Sequence, residues 1–404
     1  MSIWICLLIP LIGAFVLLRW YKHALAWWEV VIPSIVCFIF ILVFKFTVEK
    51  IQVSDTEYRG STIVEARYYE SWETWVRRTC YRTVKVGKST TTVPYDCSYC
   101  DHNPARWTVV NSLGEEYSIS EEYYSYLRKI WKSTPGFVEL NRSITYHFGC
   151  GKDGDMYKIV WNKDPLSAKS TTSSNSYENR VQAAHSAFDF LDVTEEDKKK
   201  YKLFDYPELD KWHQETVLGL DSIPSISKDK IQLFKQMSDY INGELGPKKH
   251  ARVYFLFFTS PDQIAASMQE AYWDGGNDNE LVVCIGIDPK TQNLRWVKPF
   301  SWTPNRRVLP DVREEIMEVG TLDPLQICRA VEGIVLKEYK RKDFKEFSYL
   351  TVEPPAWAIW VTAIITALIT FFISRWATLN EAGNGDNSFR SFFERKRPDW
   401  TRRW

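Results

Sequence analysis

Cys80, Cys97, Cys100 and Cys150 are grouped in one stretch rich in Tyr, Thr and Trp, with His102 and His147 nearby. Three chemistries suit such a set. In an oxidising compartment an even number of cysteines in a strand-rich module suits disulfide stapling. Cys97-Ser98-Tyr99-Cys100 also has zinc-knuckle spacing, with Cys80, Cys150 or His147 able to complete a tetrahedron. A thioredoxin-like redox pair would need the same motif to open a helix, whereas Asp101-His102-Asn103-Pro104 reads as a turn.

A second candidate is the loop Trp273-Asp274-Gly275-Gly276-Asn277-Asp278-Asn279-Glu280. It is dense in oxygen donors and runs into an apolar strand. A hard cation such as calcium could use Asp274, Asp278, Asn279 and Asp288. The plainer reading is a polar loop with glycines for turn geometry. Gly149-Cys150-Gly151-Lys152-Asp153-Gly154 matches the dinucleotide fingerprint by letters, but that motif must open a helix. Here a strand follows at Met156, so the segment reads as a β-turn.

No nucleophile elbow, HExxH helix or P-loop occurs in the 404 residues. The formal net charge is zero and no basic stripe stands out, which argues against a nucleic-acid partner.

The elements that would position these residues fall into blocks. Residues 51–165 read as a Cys/Tyr-rich, mainly-β domain, with strands Ser61 to Tyr69, Tyr81 to Val86, Trp107 to Asn111, Ser143 to Phe148 and Met156 to Trp161. One helix interrupts them, with Ser120 as N-cap and Glu121 and Glu122 in its first turn. Residues 166–227 read as a linker with connecting helices, because Ser167 to Ser176 is almost all Ser and Thr. From Lys228 to about residue 352, helices and strands alternate. The apolar runs Val253 to Phe258 and Leu281 to Ile287 suit central strands covered on both faces.

Three uncharged segments flank this soluble part: Ile3 to Leu18, Trp27 to Phe44 (with Glu29 near one end) and Ala356 to Ser374. Their lengths and the Trp and Tyr residues at their borders predict a transmembrane hairpin over 1–50 (helices 3–20 and 27–46) and a third span over 354–376. Arg19 and Lys22 in the hairpin loop, and Arg390, Arg395, Lys396 and Arg397 in the tail 377–404, place loop and tail in the cytoplasm. The large domain then lies outside. Phe389, Phe392 and Phe393 within the basic tail suit either a solvated anchor or contact with anionic lipid.

Residues 228–350 resemble the TPM domain, an extracytoplasmic α/β module tethered by a membrane helix. The resemblance rests on the first apolar strand, on Asp278-Asn279 running into Leu281-Val282-Val283, on Asp288 at that strand's end and on the second strand Leu294-Arg295-Trp296-Val297. The sequence departs from the family pattern at Glu280, where glycine is expected, and at Ser301-Trp302-Thr303, which replaces a glycine-rich stretch. The resemblance implies a cation-dependent phosphatase or regulatory module with Asp278, Asn279 and Asp288 at its site. Thr92 to Trp107 is similar to segments of membrane-anchored proteins of bacteria and tailed phages, which implies a microbial source.

The expectation is an α+β membrane protein: an N-terminal hairpin, a Cys-containing mainly-β domain, a TPM-like α/β domain and a C-terminal transmembrane helix. Its partners would be the bilayer and either another protein or further copies of itself, through a non-catalytic binding or assembly surface. Calcium and zinc are the candidate cofactors.

Overall fold

The computed structural model describes residues 3–20, 27–87, 89–140, 150, 154–184, 191–212 and 215–382. It forms two compact units that the chain enters alternately. One comprises Met1–Asp55, Tyr177–Phe188 and Phe344–Trp404, the other Thr56–Ser176 and Asp189–Asp343.

The first unit is helical. Two of its helices are long and apolar enough to cross a membrane: Val30–Val53, within the helix Trp27–Val53, and Ala356–Trp376, within the helix Ala356–Ala382. The first apolar segment forms a 3-10 turn, Ile3–Leu7, followed by the helix Leu8–Trp20. Its apolar stretch Ile3–Val16 is shorter than a span, so two of the three expected crossings have helices of spanning length. The hairpin loop and the tail beyond residue 382 lie outside the described residues, as does the strand expected at Ser143 to Phe148.

Small residues bring these helices close. Thr362, Thr366 and Thr370 are buried, and their hydroxyls donate to carbonyls one turn back at 2.7–2.8 Å. Each polar group is thereby satisfied inside its own helix, leaving a methyl for packing. A β-carbon on Gly13 would come within 2.7 Å of the Thr370 methyl. Ile3, Cys6 and Ile41 form the small core of this unit.

The second unit contains two larger sheets. In the first, neighbouring strands run in the order Glu116–Ile119, Arg106–Asn111, Ser54–Tyr69, Met156–Val160 and Gly136–Val138, with Ser170–Glu178 also pairing with Ser54–Tyr69. Ala66 of the long central strand lies opposite Val109 on one side and Ile159 on the other, and all three are fully buried. The helix Glu121–Trp131, capped by Ser120 as its sequence predicts, covers this face with Leu127 and Trp131.

Where composition suggested a linker, residues 170–178 form a strand. The reason is a polar ladder rather than apolar burial. Thr171 is fully buried, its hydroxyl lies 2.7 Å from Ser61 Oγ, and the Asn111 amide donates to both at 2.9 and 3.1 Å. Hydroxyls that hydrogen-bond across strands can be buried without the desolvation cost that makes Ser/Thr-rich segments disordered elsewhere.

The second sheet has the order Val217–Leu218, Arg252–Phe258, Glu280–Ile287 and Leu294–Phe300. The first three strands are parallel and the last is antiparallel. Both central strands are buried along their whole length, as their continuous apolar runs predict. Helices Lys228–Lys249, Val308–Val319 and Pro324–Glu338 supply one covering layer, and Ile264–Tyr272 supplies the other.

The two sheets meet in one unit because a helix and a strand touch by backbone. Residues Gly243 and Gly246 of helix Lys228–Lys249 lie on Thr62 and Gly60 of the central strand, so closely that added β-carbons would overlap both. Glycine at this seam is a matter of space.

Candidate functional site

All four cysteines of the β region are disulfide-bonded, as Cys80–Cys97 and Cys100–Cys150. The first closes the open end of the hairpin Thr79–Val86 and Ser89–Asp96, where Thr79 faces Asp96. The second ties the ribbon Trp72–Val76 and Tyr99–Asn103 to Cys150, which is 2% exposed. Cys97 and Cys100 therefore belong to different bridges, and their short spacing is neither a redox pair nor a zinc knuckle. His102 instead lies 3.0 Å from Glu73, and His147 falls outside the described residues, as does most of the turn expected at 149–154. Among the described residues no group of three His, Cys, Asp or Glu side chains is arranged to hold a metal ion.

The four candidate cation ligands are not brought together. Asp278 and Asn279 precede the strand Glu280–Ile287 and Asp288 follows it, so strand rise alone separates them by about 26 Å. Asp288 shapes a turn: its carboxylate accepts from the Lys290 backbone at 2.8 Å and pairs with Arg295 at 2.9 Å. Those hydrogen bonds hold its pKa below the usual carboxylate value. Asp274 sits at φ +51° beside Gly275 and Gly276, and its carbonyl accepts from the Trp302 indole at 3.3 Å. Glu280, where the family pattern has glycine, closes this loop by accepting from the Asn277 backbone at 2.9 Å and from the Tyr206 hydroxyl.

Asp278 instead joins a buried ion cluster that the sequence did not announce. Arg341 Nη2 lies 2.5 Å from both Glu57 Oε2 and Asp278 Oδ2, and each carboxylate residue is 1% exposed. Arg59 pairs with the other Glu57 oxygen. Asn279 donates to the Tyr58 carbonyl at 2.9 Å, and the Lys342 backbone donates to the Asp278 carbonyl at 3.2 Å. Burial pushes the Asp278 carboxyl up to about 7, against the pull of Arg341 and reinforced by Glu57. His250 is pushed below its usual value by burial and by Arg59 and Arg341. The cluster lies at the amino ends of the parallel strands, whereas open α/β sheets bind ligands at the carboxyl ends. Its evident work is to fasten residues 57–59, 278–279 and 341–342 to one another.

A cleft of about 500 Å³ opens elsewhere in the same unit. One wall is a single turn-to-turn face of helix Lys228–Lys249, carrying Gln232, Lys235, Gln236 and Asp239. The facing wall carries Ser120, Tyr123, Lys169 and Ser170, and Trp212 forms a rim. Trp212 is 44% exposed, yet its ring is held in place, edge-on to Tyr117 at 5.8 Å and Tyr123 at 6.2 Å. Lys235 is paired with Asp221 at 2.7 Å, and Lys169 lies over the Tyr126 ring at 5.5 Å. Burial pushes the Asp239 carboxyl up to about 7 despite Arg252, Lys169 and Lys235 nearby. Tyr123 is likewise driven by burial to about 12. The cleft has the size of a small-ligand site, but its lining is mainly polar, with a perturbed acid among its groups.

Sequence reasoning singled out Asp278 and Asn279 but not Glu57 or Arg341, and it missed the cleft, because each place is assembled from residues far apart in the chain. Comparison with known proteins gives no match to a family model, to a curated protein or to a solved structure.

Proposed function

We propose that this chain is a membrane-tethered, non-catalytic binding or assembly module whose globular unit lies outside the cytoplasm. The observation that carries the reading is that bilayer-length helices flank, at both ends of the chain, a unit that is disulfide-bonded and has a formed cleft. Disulfides persist in oxidising compartments, which supports an extracytoplasmic location. With Ile3 to Leu18 as a third, short crossing in a locally thinned bilayer, the basic loop and tail share the cytoplasmic side and the large unit faces out. The partner is another protein or a second copy.

Impermeant maleimide labelling in intact cells, before and after reduction, tests this. Labelling of Cys80 and Cys97 only after reduction is expected. Labelling that requires lysis would reverse the orientation.

One observation favours a second reading, a cation-dependent module of the TPM kind. Asp278 Oδ1 and Asn279 Oδ1 are buried and accept no hydrogen bond. Calcium-dependent thermal stabilisation of the full chain, abolished by Asp278→Asn, would favour it; no shift removes its physical basis.

A further inference from the structure

We infer that the cleft walled by Gln232, Gln236 and Asp239 and rimmed by Trp212 binds an uncharged, polyhydroxylated ligand of the oligosaccharide class. The inference goes beyond a protein partner or second copy by adding a small ligand at the cleft, and it rests on the binding-module reading.

Three features select that chemistry. The first is charge. Lys235 is already engaged by Asp221, and Lys169 lies between the Tyr126 ring and a cleft that also contains Asp239. The lining is therefore close to balanced and gives little purchase to a strongly anionic or cationic ligand. The second is the free hydrogen-bonding capacity. Among the described residues the side-chain amides of Gln232 and Gln236 have no hydrogen-bond partner, although they lie one turn apart on a rigid helix. Each offers an acceptor oxygen and two donors, which is what adjacent hydroxyl groups, themselves donors and acceptors, can satisfy together. The third is the aromatic rim. Trp212 leaves 44% of its surface exposed, with its orientation fixed by Tyr117 and Tyr123. A fixed, half-exposed indole offers a flat apolar surface to the C–H face of a sugar ring without losing rotamer freedom on binding.

Size agrees: the cleft's volume of about 500 Å³ lies in the range of small-molecule sites. The apolar groove along Ile9, Ile12 and Ile359 has no such polar set and suits hydrocarbon alone.

The test uses the full chain in detergent, with maltotriose, cellotriose and chitotriose as probes, read by tryptophan fluorescence and calorimetry. Saturable binding of at least one probe is expected. Trp212→Ala and Gln236→Ala should each weaken it by about tenfold or more, with the melting temperature of the Gln236→Ala chain unchanged. No saturable signal from any of the three at millimolar concentration overturns the ligand class. Binding that survives both substitutions overturns the site. A photo-reactive residue at position 212 in intact cells separates the two readings. Crosslinking to a protein, with no oligosaccharide binding, refutes the sugar and leaves the binding module standing. Failure of both arms removes both.

Discussion

Gly246 and Gly60 meet backbone to backbone, so that a β-carbon on Gly246 would overlap the Gly60 carbonyl. Gly246→Ala should therefore cost about 3 kcal/mol, since neither backbone can retreat without opening the helix or the sheet. Gly333, inside the helix Pro324–Glu338 with open space at its β-position, is the opposite case. Gly333→Ala should gain about 0.5–1 kcal/mol from helix propensity. Denaturant melts of both variants check the contrast in sign.

The disulfides should contribute unequally. Loops of 17 and 50 residues correspond to about 3 and about 4 kcal/mol in the chain-entropy model. Cys150→Ser paired with Cys100→Ser should thus destabilise more than Cys80→Ser paired with Cys97→Ser. Non-reducing peptide mapping should recover 80–97 and 100–150 linkages, with Cys284 and Cys328 alkylated only after unfolding because both are buried.

Arg341→Ala removes the one guanidinium shared by Glu57 and Asp278, leaving Glu57 with Arg59 alone and the buried Asp278 with no cation. A loss of about 3–5 kcal/mol is expected. Adding Asp278→Asn should restore part of it, because the buried charge left without a cation is then gone. A double-mutant cycle read by thermal unfolding measures that coupling; independent, additive losses would show that the cluster is not a unit.

Stability should also depend on pH through Asp278. Its folded pKa of about 7 lies above the unfolded value near 3.9, so the folded state binds the extra proton between them. Its contribution is therefore fully present below about pH 4 and lost as pH rises through about 7. Asp239 carries the same sign. His250, held below its usual value, acts in the opposite direction as pH rises toward about 6.5. Melting temperatures should fall as pH rises from about 4 to about 7 in the natural chain and fall less in Asp278→Asn. Equal slopes would show that Asp278 is ionised throughout.

Local pattern carried the elements whose cause is local. The Ser120 cap, the acidic first turn after it and the strand Glu280–Ile287 were all legible, because each depends on neighbours in sequence. The pairing of Ser170–Glu178 and the burial of Thr171 were not, since they depend on Ser61 and Asn111, more than fifty residues away. For the same reason Asp278 was visible as a polar loop residue while its real neighbours, Glu57 and Arg341, were not. Cysteine grouping was informative about bonding, while the pairing depends on the tertiary fold that brings Cys150 to Cys100 across fifty residues.

The position of Ser54–Tyr69 at the centre of its sheet sets an order of events during synthesis. This strand leaves the ribosome directly after the helix Trp27–Val53, yet its hydrogen-bonding neighbours come from residues 106–111, 156–160 and 170–178, and its glycine seam waits for Gly243 and Gly246. Arg341, which neutralises Glu57 at the strand's beginning, is made later still. The first soluble segment to emerge is thus the last to be completed. A nascent chain halted before residue 106 would hold an unpaired central strand next to a membrane anchor, a species prone to edge-to-edge association and dependent on chaperones.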